Sequence, residues 1–279
     1  GVLCDYGEEA ICYPDTFKKA VTESALPPSP EYCEACKENE YTTAQNLPVC
    51  STCNIPPEGN VTVAEDCVQR TQIVVTGLLN VTGVPDDNGK LPAIIGGGSN
   101  RLFLIMVTGE IYISSLNLTN GRTIGNHMGA AIYTDGTLIA ESCIFHNNIA
   151  GGTAAIYAWN AVLRFVDTVF TMNSGHYVGA LYATGTNNDH MKYTQITLVR
   201  CYFMNNAQRL GVHPRDVYLF NSDNVLGAKA TIINTIFGSN NSVAFTTNRK
   251  EVADCTAAPT QCQDNGYTPY YACVDKPNP

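Results

Sequence analysis

Four times in the second half of this 279-residue chain, a phenylalanine is followed three residues later by an asparagine. The pairs are Phe145 and Asn148, Phe170 and Asn173, Phe203 and Asn206, and Phe237 and Asn240, with the phenylalanines 25, 33 and 34 residues apart. Each pair ends a short run rich in Ile, Leu, Val and Thr. A recurrence of this length marks units that close their cores against one another rather than singly.

With phenylalanine as position zero, further columns align. Position −7 holds Leu138, Leu163, Ile196 and Ala230; position −5 holds Ala140, Phe165, Leu198 and Ile232. Position −2 alternates Cys143, Thr168, Cys201 and Thr235. Apolar residues at every second place describe a strand with one buried face. A unit of about 25 residues is too short for a strand-helix-strand crossover with its loops, and it fits one turn of a three-faced parallel β-helix. The asparagines at +3 are expected to mark a turn, where Asn tolerates left-handed backbone, and to bond one another from coil to coil. That ladder is Asn148, Asn173, Asn206 and Asn240, which sets Asn240 against its own glycosylation sequon.

Three segments follow from composition: a cysteine-rich head (1–68), the β-helix (69–248) and a cysteine-containing cap (249–279). Of twelve cysteines, Cys4, Cys12, Cys33, Cys36, Cys50, Cys53 and Cys67 crowd the head and Cys255, Cys262 and Cys273 the tail. Clusters at chain ends that lack a large core suggest disulfides; a zinc site built from the two Cys-x-x-Cys pairs is the rival reading. Cys143 and Cys201 stand two coils apart, about 9.6 Å, and are expected to remain thiols. Sequons at Asn60, Asn80 and Asn117 join the cysteines in pointing to a secreted or cell-surface, extracellular glycoprotein. A chain opening at Gly1 without an apolar leader reads as a processed form.

The excess of 25 acidic over 16 basic residues, without a basic run, argues against broad nucleic-acid contact. Apolar runs of about six residues predict no transmembrane helix. An upstream column offers a candidate ligand-binding strip, namely Tyr133, Tyr157, Tyr182 and Phe220. Facing out, it would stack sugars or meet a protein; facing in, it would be core. Period two does not choose between them.

A carbohydrate-active alternative would use Asp167 with Arg200, plus Asp189, His190 and Lys192 from the 184–193 insertion, with Ca²⁺ as its one conceivable cofactor. Glycosidase chemistry needs two carboxylates about 5–9.5 Å apart, and no adjacent columns offer them. Asp167 beside Arg200 in the −3 column (Ser142, Asp167, Arg200, Asn234) reads first as a surface ion pair. The expected role is therefore structural, adhesive or glycan-binding and without catalysis. Its partners would be extracellular polysaccharide or other surface and matrix proteins, in a larger extracellular assembly.

Phe-x-x-Asn (FHNN, FTMN, FMNN, FGSN) paired with GAAI at 129–132, TAAI at 153–156 and GAL at 179–181 resembles the repeats of the chlamydial polymorphic outer-membrane proteins and right-handed β-helix proteins similar to them. The resemblance spans about 70–248 and implies a right-handed single-stranded parallel β-helix, all-β. Members of that family act as surface adhesins, while other right-handed β-helices cleave or epimerise polysaccharides.

Overall fold

The computed structural model describes residues 52–97, 100–186, 193–209, 216–220 and 227–237, and the backbone of strands Leu3–Asp5, Ile11–Tyr13, Tyr41–Thr42, Pro48–Val49 and Val243–Thr246. It is all-β. Three seven-stranded parallel sheets run the length of a solenoid, and the chain visits them in turn. Sheet I holds Ile73–Val75, Phe103–Ile105, Ile132–Thr134, Ile156–Trp159, Leu181–Thr184, Val217–Phe220 and Val243–Thr246. Sheet II holds Gly59–Val63, Leu78–Gly83, Glu110–Ser114, Thr137–Glu141, Val162–Val166, Thr194–Val199 and Ala228–Ile233. Sheet III holds Cys67–Gln69, Ala93–Gly96, Asn117–Thr119, Ile144–His146, Val169–Thr171, Tyr202–Met204 and Ile236–Phe237. Among the described residues no helix is long and apolar enough to cross a membrane.

Stacking in register explains the repeat. Phe145, Phe170, Phe203 and Phe237 are successive partners in sheet III. Their rings stack at centroid distances of 5.1, 4.5 and 4.9 Å, nearly parallel. Leu138, Leu163, Ile196 and Ala230 form one column of sheet II, and Ala140, Phe165, Leu198 and Ile232 the next. Where Ala140 gives way to Phe165, the larger ring meets Phe145 and Phe170 edge-on at 6.0 and 5.2 Å. Small and large residues thus alternate to fill a narrow tube.

The corner between sheets II and III is one residue wide. Ser115, Ser142, Asp167, Arg200 and Asn234, the −3 column, all have φ between 49° and 53°. One left-handed residue turns the strand from one face to the next, and each bend rests on the one below. Asp167 and Arg200 also meet as a bidentate pair, both contacts 2.7 Å.

Just past the corner, the −2 column caps it. Thr168 Oγ1 donates to Val166 O at 2.9 Å, and Thr235 Oγ1 to Ile233 O at 3.1 Å. Cys143 Sγ donates to Glu141 O at 3.2 Å and Cys201 Sγ to Val199 O at 3.5 Å. Cysteine and threonine alternate here because both are small side chains with a donor at the same place. Both thiols are buried and unbridged, and burial pushes Cys143 up to about 12. We expect Cys143→Thr to leave unfolding free energy within about 1 kcal/mol of wild type, while Cys143→Val loses more by removing the side-chain donor to Glu141 O, which then keeps only its bond from the Ser115 N–H. Chemical denaturation of the two variants checks this; equal stability would show the donor to be irrelevant.

A second left-handed column follows sheet III. The sequence reading assigned both turning and laddering to the asparagines at +3, whereas the chain divides the tasks. The left-handed residues are Asn120, Asn147, Met172 and Asn205, at +2. The +3 residues Asn148, Asn173 and Asn206 point inward and are buried. Asn148 Nδ2 donates to Asn173 Oδ1, and Asn173 Nδ2 to Asn206 Oδ1, each at 3.0 Å. Asn148, Asn173 and Asn206 Nδ2 also donate to Leu118 O, Phe145 O and Phe170 O, respectively, each in the preceding coil. At the lower end Gly121 occupies the +3 place, where a Cβ would sit 2.3 Å from Ala130 O, and its N–H donates to Asn148 Oδ1. At the upper end Asn206 Nδ2 donates to the buried Asp216 at 2.8 Å. Asn240 lies outside the described residues.

The solenoid starts before residue 69. Gly59–Val63 pairs with Leu78–Gly83 in sheet II, and Cys67–Gln69 with Ala93–Gly96 in sheet III. This moves the boundary read from composition. The first strand points only Val61 and Val63 inward, too short an apolar signal amid Pro, Glu and Asn. Cys67, read as a head cysteine, stands beside Ile94 in the core and is bonded to Cys53. Thr52 bridges to Val68 and the Cys53 N–H donates to Val68 O, so this disulfide ties the incoming chain to the first coil. The side chains of Cys4 and Cys12, and Cys33, Cys36, Cys50, Cys255, Cys262 and Cys273, lie outside the described residues.

Candidate functional site

The outward face of sheet I carries the candidate site. Ile132, Ile156, Leu181 and Val217 point into the tube and are fully buried, so their neighbours point out. The outward column runs Leu104, Tyr133, Tyr157, Tyr182 and Tyr218. This corrects the sequence alignment, which set Phe220 in the column. Leu181 pairs with Val217, so Tyr218 is the stacked residue and Phe220 lies two places further along the strand. The segment preceding that strand is longer than in the two coils before it, and aromatics two apart leave the phase of the alternation undecided in sequence.

The tyrosines face out of the tube yet are not a free strip. Tyr133 stacks on Tyr157 at 5.1 Å and Tyr157 on Tyr182 at 5.3 Å. Tyr218 closes on Tyr182 edge-on at 5.2 Å. Ring faces are thereby spent on one another. Ala154 and Val178, from the segments leading into sheet I, pack against Tyr218 and Tyr182 as a second small core. Tyr157 is 4% and Tyr218 6% exposed, whereas Phe220 keeps 38%. Burial, and then the neighbouring tyrosines, raise the Tyr157 and Tyr182 hydroxyls well above the ordinary tyrosine value. The column staples coils together: Tyr157 and Tyr218 are buried in it, and Tyr133 and Tyr182 are half-buried.

At the lower end of the column sit groups that repeat nowhere else. The Arg101 guanidinium lies over the Tyr133 ring, 5.1 Å from its centroid. Burial lowers its pKa, with Tyr133 opposing. Burial, and then the neighbouring Asp135, raises the Tyr133 hydroxyl; burial raises the Asp135 carboxyl, with Tyr133 opposing. Asp135 Oδ1 is sealed from solvent without a protein partner. Trp159, the chain's single tryptophan, ends the next strand of sheet I half-buried, two places beyond Tyr157. Arg101, Asp135, Trp159 and Tyr218 escaped the sequence reading. Strand alternation would have placed Trp159 and Tyr218 on this face once the register was known; Arg101 and Asp135 gave no periodic signal.

The remaining candidates are dispersed. Asp167 and Arg200 stand on the corner between sheets II and III, side chains 45% and 55% exposed, bonded to each other. The guanidinium holds the Asp167 carboxyl below the ordinary range. Their column mates Ser115, Ser142 and Asn234 bring no second carboxylate. Asp189, His190 and Lys192 lie outside the described residues, and among the described residues no group of three His, Cys, Asp or Glu side chains is placed to hold a metal.

Of the sequon asparagines, Asn60 and Asn80 are register partners on the outward face of sheet II, with Asn80 Nδ2 donating to Asn60 Oδ1 at 2.6 Å. Asn117 is half-buried in sheet III, its Oδ1 without a protein partner. Comparison with protein-family models, with curated proteins and with solved structures gave no match. Of what the repeat resemblance implied, the parallel solenoid is present, and no match supports the link to the chlamydial repeats.

Proposed function

We propose that this protein is an extracellular, secreted or cell-surface β-helix that acts without catalysis, as an adhesive or glycan-binding rod. The observation that carries the reading is the outward face of sheet I. Six aromatic residues (Tyr133, Tyr157, Trp159, Tyr182, Tyr218 and Phe220) occupy it over four successive coils. Coils repeat about every 4.8 Å, so the face offers a linear polymer a periodic track rather than a closed pocket. Phe220 and the half-buried Trp159 supply apolar contact, and the half-buried Tyr133 and Tyr182 supply hydroxyls for hydrogen bonds. The chlamydial-like repeat pattern fits the same adhesive role.

The carbohydrate-active alternative draws no support from Asp167. A carboxylate held ionised by a bidentate guanidinium is a poor general acid, and a water-exposed corner does not enclose a substrate. The reading is tested with the full chain on a glycan array run beside a polysaccharide-degradation assay. Binding without release of new chain ends is expected. Catalytic turnover of any bound polysaccharide would overturn it.

A further inference from the structure

Charge is segregated around the aromatic face. The segments that lead from sheet III into sheet I carry Arg70, Arg101, Arg122 and Arg209, half of the eight described Lys and Arg residues. Among the described residues, the one acid in these segments is Asp216, which is buried and accepts from Asn206. The chain's net charge of −9 is concentrated elsewhere: residues 1–51 hold nine acids against three lysines.

Arg101 is the key member. Its guanidinium pairs with no carboxylate among the described residues; its contact is the ring of Tyr133. A half-desolvated cation resting on an aromatic ring is oriented beforehand, and its N–H fork has no acceptor among the described residues. Such a fork matches an oxyanion with two parallel N–H···O bonds. Asp135, two residues beyond Tyr133, offers acceptor oxygens to hydroxyl donors on the same ligand.

Resting on the glycan-binding reading above, we propose that the outer face of sheet I binds an anionic polysaccharide, with Arg101 receiving one of its acidic groups and the polymer running on along the face past Tyr133. The ligand is thus narrowed to a chain bearing carboxylate or sulfate groups.

Trp159, being unique, reports occupancy by fluorescence. The whole protein is titrated with a uronate oligosaccharide and a sulfated oligosaccharide, and with the methyl-esterified and desulfated counterparts. At least one anionic oligosaccharide should bind, with its neutral counterpart about tenfold weaker or worse. Arg101→Gln should weaken that binding by about tenfold or more, with an unchanged circular dichroism spectrum. Arg164→Gln, on the outward face of sheet II, should not alter it. Equal binding of charged and neutral sugars would overturn the inference while leaving glycan binding standing. Absence of binding to any of the four would overturn both. An equal loss in Arg101→Gln and Arg164→Gln would also overturn the inference, because it would signal diffuse charge attraction.

Discussion

Replacing Phe170 by alanine is expected to lower the unfolding free energy by about 3–5 kcal/mol, the range for removing a buried aromatic side chain from a packed core. Phe170 is fully buried in the middle of the phenylalanine column. It touches Phe145 and Phe203 face to face and Phe165 edge-on, at 5.1, 4.5 and 5.2 Å. No neighbour can collapse into the space, because each ring is already fixed by its own stacking partners. In a solenoid, coils are held chiefly by the coil on either side, so the cavity also weakens the contact between the two halves of the rod. Urea unfolding of Phe170→Ala measures the loss. Phe170→Leu, which keeps more of the apolar volume, should lose visibly less; similar losses would mean that the stack does not act as packing.

Asn173→Ala is the second large effect, and it works through unpaired polar groups rather than volume. Asn173 Oδ1 accepts from both the side chain and the backbone N–H of Asn148. Its Nδ2 donates to Phe145 O and to Asn206 Oδ1. The alanine variant leaves the Asn148 N–H without its acceptor in a dry interior, at a cost of about 1–3 kcal/mol, and removes one bond each from Asn148 Nδ2, Phe145 O and Asn206 Oδ1, so a total loss of about 3–6 kcal/mol is expected. Asn173→Asp is the discriminating partner, since it keeps the acceptor and removes the donors. It should unfold more easily than wild type at neutral pH and recover part of the deficit in acid, where a protonated carboxyl can donate again. If both variants match wild type in denaturant titrations, the ladder carries no stability.

Fold was more legible than site, for a physical reason. Core positions recur because every coil faces the same packing problem, so Phe145, Phe170, Phe203 and Phe237 fixed the phase and the −5 and −7 columns of sheet II fell into place from sequence. Turn chemistry was half legible. Adjacent asparagines such as Asn147 and Asn148 divide the left-handed bend from the inward hydrogen bonds, and residue type alone does not say which does which. The outward face of sheet I was harder still. Period two identifies Tyr157 as opposite in facing to Ile156, but not that Ala154 and Val178 help close off the tyrosine column. Arg101 and Asp135 occur once each, so no recurrence exposes them. Their meeting at Tyr133 depends on the stacking of Phe103–Ile105 against Ile132–Thr134.

Hydrogen exchange of the whole protein, with and without a saturating anionic polysaccharide, tests most directly the claim that the outer face of sheet I is the working surface. Added protection is predicted at Arg101–Met106, Tyr133–Gly136, Tyr157–Asn160 and Tyr182–Thr184, with sheets II and III unchanged. Protection centred on the outward faces of sheet II or sheet III, with sheet I unaltered, would contradict it.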